Sequence, residues 1–349
     1  MDRKMTKKIQ VGNIFVGGDS PITVQSMNNT DTRNIEATVK QILALESVGC
    51  QITRCAVPDL DAARALRKIV SQVNIPVVAD IHFDYKLALE SIKSGVDALR
   101  LNPGNIGDIE RIKVVAREAK ANNIPIRIGV NSGSVDKKIL DKYGGICAEA
   151  LVDSALEHVN ILESVGFYDI VVSIKSSTTM EMIESNRLLS AKVDYPLHLG
   201  VTEAGTPWRG SIKASIGIGT LLCEGIGDTL RVSLTGDPLE EIKVGKQILK
   251  SIGLINEGIE FISCPTCGRT GIDLIKIAHE AEDRLANCDK NIKVAIMGCV
   301  VNGPGEAKGA DIGIAGGNGE GLIFKGGKII KKVKEEFLID ELIKEIENM

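Results

Sequence analysis

Through the first two-thirds of the chain, short β-branched or apolar runs alternate with longer stretches whose apolar residues recur at helical spacing. The runs predict strands over 22–26, 51–55, 77–81, 98–101, 126–130, 170–174, 197–201 and 230–234. Between them, segments such as 35–48, 60–73, 109–121, 148–165, 180–191 and 239–251 carry helical periodicity. Regular β-then-α alternation implies a parallel sheet, and eight repeats imply closure into a (β/α)8 TIM-type barrel. An open doubly wound sheet is the alternative, but it places a Gly-rich phosphate turn after its first strand. Here Val16-Gly17-Gly18-Asp19 comes before the first strand and reads as a hairpin turn.

After Ser251 the texture changes. A helix over 272–285, short apolar runs at 294–297, 312–315, 322–324 and 328–330 between Gly-rich turns, and a closing helix over 335–346 describe a second, smaller α/β domain. The expected division is 1–251 for a substrate-binding barrel and 252–349 for the second domain. A core of the latter size gains from a bound metal centre.

Composition narrows the function. Apolar residues make up 44% and charged residues 25%, which suits a globular fold with a sizeable core. Aromatics are only 3% and the formal net charge is −4, so neither stacking platforms nor bulk attraction for nucleic acid is supplied. The charged first ten residues lack a signal-peptide core, and no later apolar stretch is long enough to span a bilayer, so a cytoplasmic protein without membrane association is expected. Eight cysteines in that compartment must be judged as filler, ligands or reactive thiols rather than disulfides.

Three of them form a constellation. Cys264-Pro-Thr-Cys267-Gly-Arg follows a predicted strand, and Cys299 ends another in Met297-Gly-Cys-Val-Val-Asn-Gly-Pro-Gly-Glu306. The paired thiols can reach one centre, and flanking glycines free backbone N–H groups to hydrogen-bond sulfur. A structural zinc site is the alternative, but it usually wants a second Cys-x-x-Cys, and there is none. Glu306, behind the Gly303-Pro-Gly305 turn, is a better fourth ligand than Cys288, which reads as a solvated helix end. A carboxylate is a harder, more weakly held donor to iron, which leaves one iron open to substrate oxygen. Cys50, Cys55, Cys147 and Cys223 read as small apolar filler.

Barrel chemistry sits at the C-terminal ends of strands. Those ends present Arg54, Asp80, His82, Arg100, Asn102, Arg127, Asn131, Lys175, His198, Thr202, Glu203, Arg231 and Ser233. Five strands bring a cation. Five cations on one rim repel each other unless an anion joins them, and guanidinium forks match phosphate oxygens. A small diphosphorylated substrate is implied. Glu203, between small residues in Gly200-Val-Thr-Glu-Ala-Gly205, is the candidate for proton transfer, and Asp80 for pairing with a cation.

Thr23-Val-Gln-Ser-Met-Asn, Leu101-Asn-Pro-Gly-Asn, Arg127-Ile-Gly-Val-Asn, Leu199-Gly-Val-Thr-Glu-Ala-Gly and Asn302-Gly-Pro-Gly-Glu, with the cysteine motifs, resemble the bacterial two-domain 4-hydroxy-3-methylbut-2-enyl diphosphate synthases. The likeness runs from about Ile9 to Lys328. It implies reductive ring opening of 2-C-methyl-D-erythritol 2,4-cyclodiphosphate in isoprenoid biosynthesis. It further implies a 4Fe-4S cluster on Cys264, Cys267, Cys299 and Glu306, flavodoxin or ferredoxin as electron donor, and a homodimer whose active site is shared between chains. By the same resemblance Glu203 and Glu306 are catalytic, the rim cations hold the diphosphate, Asn102, Asn131, Thr202 and Ser233 complete its hydrogen bonds, and Asp80, His82 and His198 belong to the same substrate-binding set. Two other readings stay open at this point: a barrel enzyme on another phosphorylated metabolite or pterin with a structural zinc domain, and a non-enzymatic iron-sensing module.

Overall fold

The computed structural model describes residues 2–82, 84–102, 106, 109–286, 288–299 and 307–349, in two units, Met1–Leu254 and Ile255–Met349.

The first unit opens with a hairpin of β1 (Ile9–Val11) and β2 (Ile14–Val16), followed by β3 (Thr23–Met27), β4 (Ile52–Ala56), β5 (Val77–Ile81), β6 (Ala98–Leu101), β7 (Ile126–Asn131), β8 (Ile170–Lys175), β9 (His198–Leu199) and β10 (Thr229–Leu230). The last eight form one parallel sheet in the order β8-β7-β6-β5-β4-β3-β10-β9, and a parallel bridge from Val172 to Leu197 closes it. Barrel closure removes both sheet edges. Helices return the chain after each strand, and their N-termini are set by side chains that accept an orphan N–H: Asn34 for Ile35–Ser47, Asp59 for Leu60–Val70 and Asp237, ahead of Pro238, for Pro238–Ser251.

The hairpin turns at Gly12-Asn13, not at Val16–Asp19; the latter is a separate turn that leads from β2 to β3, with Ser20 N–H donating to Gly17 C=O. Gly12 has φ +55, which a glycine adopts without strain. Val11 and Val16 of the hairpin pack against Ile52, Val78 and Ala98 at the strand starts and plug the lower end of the barrel. Two predicted strands are shorter than their apolar runs. β9 and β10 end at Leu199 and Leu230, and the residues that follow, Arg231 and Ser233 among them, line the mouth. Helices Tyr85–Lys93 and Pro207–Cys223 complete the βα repeats that periodicity left unassigned.

The second unit is a five-stranded mixed sheet: β11 (Glu260–Ser263), β12 (Lys293–Met297) and β13 (Ile312–Gly316) run parallel, and β14 (Glu320–Lys325) and β15 (Lys328–Lys334) continue antiparallel. Helices Leu274–Leu285 and Leu338–Glu347 bury Ile277, Ala281, Leu285, Leu338, Leu342 and Ile346 with Val294, Ile296, Ile312, Ile314 and Ile323 of the sheet. Ala295, Met297, Ala315 and Phe324 form a smaller core with Ala307 and Ala310.

Candidate functional site

The barrel register decides which side chains meet. Asp80, Arg100 and Arg127 are direct neighbours on β5, β6 and β7, and Lys175 stands opposite Asn131, two inward positions above Arg127. Inward alternation therefore stacks cations inside the mouth. Arg54, Arg100, Arg127, Asn131, Lys175, Thr202, Arg231 and Ser233, with Gly129 and Ser173, line a cavity of about 70 Å³. Glycine makes room for the side chains: a Cβ on Gly129 would lie 2.5 Å from Arg100 Nε, and one on Gly200 would lie 2.6 Å from Arg231 C=O and 3.0 Å from Lys175 Nζ.

Two carboxylates serve this ring. Asp80, nearly fully buried, accepts from Arg100 Nη1 at 3.1 Å and pairs with Arg54 Nε at 3.6 Å. Burial alone would raise its pKa, but Arg54, the His82 hydrogen bond and Arg100 outweigh it and hold the carboxylate well below its ordinary range. Glu241, on Pro238–Ser251, accepts from Arg231 Nη2 at 3.2 Å and Nε at 3.3 Å and from Ser26 Oγ at 2.9 Å. Strand-end reasoning missed Glu241. Its signal is on the helix, where Glu241 shares the buried face with Ile242, Gly245 and Ile248.

Arg127 and Lys175 have no carboxylate partner among the described residues. Burial, and then the other cations, lower both pKa values well below their ordinary ranges. His198 is fully buried, its Nδ1 3.4 Å from both Arg127 Nη1 and Thr229 Oγ1, and burial beside these cations keeps it neutral. Polar atoms without a hydrogen-bond partner concentrate here: Arg127 Nη2, Asn102 Oδ1, His198 Nε2 and Gln25 Nε2. Buried donors, and an acceptor in Asn102 Oδ1, left open in this way call for a ligand or water.

Other predicted residues sit differently. Asn102 and His198 are buried beside the cavity without lining it, and His82 is half exposed at 3.3 Å from Asp80. Glu203 is exposed on the loop after β9, with φ +52, a conformation that stores strain in a non-glycine residue and recurs at functional sites. It does not line the cavity.

In the second unit Cys264 follows β11 and Cys299 follows β12, so two thiols emerge from the same ends of adjacent parallel strands. Gly298 N–H donates to Cys264 Sγ at 3.2 Å. Cys267 is exposed in the next turn, tied by its N–H to Thr270 Oγ1 at 3.2 Å. Cys264 and Cys267 are in no disulfide. No group of three or more His, Cys, Asp and Glu residues that could hold a metal ion occurs among the described residues. Glu306, the expected fourth donor, lies outside the described residues, so these hold only part of the proposed ligand set. The donor chemistry fits an iron–sulfur centre: soft sulfur donors, with the Gly298 N–H already directed at Cys264 Sγ.

The other cysteines are distinct. Cys50 and Cys55 are buried, and burial pushes each thiol up to about 12, which makes them inert filler. Cys147 accepts from Ala150 N–H at a helix start. Cys223 is exposed, not core. Cys288 is no solvated helix end: it is partly buried and packs against the helix-covered core.

Comparison with known proteins agrees with both halves. The family described as the GcpE TIM-barrel domain matches residues 6–246, and the GcpE protein C-terminal domain matches 260–348. A protein of Clostridium acetobutylicum named 4-hydroxy-3-methylbut-2-en-1-yl diphosphate synthase (flavodoxin) is 69% identical, covering 100% of both chains. The protein of the same name from Geobacter sulfurreducens is 56% identical over 99% of this chain and 98% of that one. Among solved structures, a dihydropteroate synthase from Stenotrophomonas maltophilia superposes with a TM-score of 0.51 at 12% identity, covering 72% of this chain and 100% of that one. That likeness shows the barrel fold alone. No helix among the described residues is long and apolar enough to cross a membrane. With both domain matches in sequence order and full-length relatives at this identity, the chain belongs to the GcpE family.

Proposed function

We propose that this chain converts 2-C-methyl-D-erythritol 2,4-cyclodiphosphate to (E)-4-hydroxy-3-methylbut-2-enyl diphosphate in the cytoplasm, with flavodoxin or ferredoxin supplying electrons. What carries the reading is the ring of five cations around one buried cavity, served among the described residues by two carboxylates, Asp80 and Glu241. A diphosphate supplies the missing negative charge, and its oxygens suit the open guanidinium edges. Arg54, Arg100, Arg127, Lys175 and Arg231 bind it, and Asn102, Asn131, Thr202 and Ser233 complete the hydrogen bonds. Two electrons and two protons enter, a ring C–O bond opens, and one hydroxyl leaves as water. Glu203 gives its proton to that hydroxyl oxygen. Cys264, Cys267, Cys299 and Glu306 would hold a 4Fe-4S cluster, which supplies one-electron reduction when bound.

Anaerobically purified protein is expected to carry iron and sulfide and to turn over the cyclodiphosphate with reduced flavodoxin. A colourless, zinc-loaded preparation with full activity would sink this reading. Glu203→Ala should keep the iron and bind substrate while losing about 10²–10⁴-fold in turnover, the usual contribution of a positioned acid. Wild-type turnover would remove Glu203 from the reaction.

The working form is a homodimer in which one chain's barrel acts with the other chain's second unit. The last barrel helix, Pro238–Ser251, runs back from the mouth by roughly 20 Å at about 1.5 Å per residue, so the chain leaves the barrel on the far face. Co-expressed Glu203→Ala and Cys264→Ser chains, each inactive alone, should form mixed dimers that regain activity. Isolated mixed dimers as dead as their parents would exclude a shared site.

A further inference from the structure

Strand β3 contributes no cation to the mouth, yet three of its consecutive side chains reach the ring. Gln25 Oε1 accepts from Arg127 Nη1. Ser26 Oγ donates to Glu241, the carboxylate that holds Arg231. Met27 Sδ lies 2.9 Å from Arg54 Nη2 and 3.9 Å from Arg231 Nη1. Gln25 is the informative one. It is buried and lines a small apolar pocket of about 20 Å³ in the barrel floor, together with Val11 and Val16 of the plug and Ile52 of β4. It does not line the mouth cavity. Arg127 borders both spaces, so any effect of Gln25 on a ligand must pass through that guanidinium.

The chemistry of the contact is specific. A guanidinium has donors only, so the amide oxygen, not its nitrogen, faces Arg127. The second group at Nη1 is His198 Nδ1, which must also present a lone pair. Arg127 is thus gripped by two uncharged acceptors, while Nη2 has no hydrogen-bond partner. Arg54 and Arg100 share Asp80, and Arg231 has Glu241. A carboxylate at position 25 would hold Arg127 as firmly but cancel its charge.

We propose that Gln25 is a positioning residue that fixes the Arg127 guanidinium from below through a neutral acceptor and so reserves its full positive charge for the diphosphate. This rests on the anion-site reading above and adds a reason for an amide at this position. Gln25→Glu tests it, because it keeps shape and acceptor and changes only charge. Ligand-free Gln25→Glu should melt no lower than wild type, since a new ion pair relieves the crowded cations. Its affinity for inorganic pyrophosphate, measured by titration calorimetry on the full-length chain, should fall about tenfold or more. Its KM for the cyclodiphosphate should rise with kcat little changed. A merely structural glutamine would give the opposite pattern, with a lowered melting temperature and unchanged pyrophosphate affinity, and that result overturns the proposal. Should Gln25→Glu not yield folded protein, Gln25→Asn decides: it withdraws the acceptor by one methylene without adding charge, and pyrophosphate affinity equal to wild type would likewise overturn the assignment. Wild-type protein that binds no pyrophosphate would instead defeat the anion-site reading itself.

Discussion

Cys264→Ser is expected to abolish turnover of the cyclodiphosphate while leaving the fold and pyrophosphate binding intact. The thiol is partly buried between the two cores of the second unit and accepts from Gly298 N–H. A serine oxygen can accept the same bond and fills nearly the same space, so packing changes little. What is lost is a soft, readily ionised donor, because a hydroxyl neither deprotonates near neutrality nor suits iron as a thiolate does. Iron and sulfide content should fall with activity, and pyrophosphate titration should still report an undisturbed barrel. A Cys264→Ser protein with wild-type iron, sulfide and turnover would remove this residue from the redox centre. Loss of pyrophosphate binding along with the iron would show that the substitution had damaged the fold.

The barrel was legible because its strands are buried on both faces and read as short β-branched or apolar runs; Val77–Ile81 and Ala98–Leu101 have the bounds their runs mark. Helix Pro207–Cys223 was not, because Gly210, Gly217 and Gly219 interrupt its apolar face. Two of these glycines are there for close approach: a Cβ on Gly217 would lie 2.8 Å from Val201 and one on Gly210 would lie 2.5 Å from Leu234. The cations of the mouth were readable since a parallel barrel brings every strand end to one face, and eight of the predicted polar residues line a single cavity. Their counter-charge was only half readable. Asp80 ends a strand, but Glu241 enters from a helix and Gln25 from beneath, positions to which a strand-end rule is blind. The pairing of Cys264 with Cys299 depended on β11 and β12 being adjacent and parallel, a contact between segments far apart in sequence that spacing alone does not give.

Asp80→Asn should lower stability and strengthen anion binding at the same time. Asp80 is the shared partner of Arg54 and Arg100, and all three are largely or wholly withdrawn from water. Removing one charge from a buried network strands the others, a loss of roughly 3–5 kcal/mol in comparable cases. For a domain of this size that corresponds to a fall of roughly 10 °C in melting temperature. The pH dependence has a definite sign. Because the folded carboxylate titrates well below its ordinary range, its contribution is complete above the unfolded value of about 4 and is lost as pH falls below it. Asp80→Asn should therefore lose part of the acid sensitivity of the wild type between pH 5 and 3, about the interval in which the unfolded carboxylate takes up its proton. Pyrophosphate supplies negative charge to the same guanidinium groups, so it should raise the melting temperature of Asp80→Asn by more than it raises that of the wild type. This pairing of lower stability with tighter anion binding distinguishes a charge-balancing carboxylate from one that binds substrate directly, for which affinity would fall with the substitution. If Asp80→Asn melts with the wild type, or if pyrophosphate stabilises both equally, the mouth is not held together by the balance of charge described here.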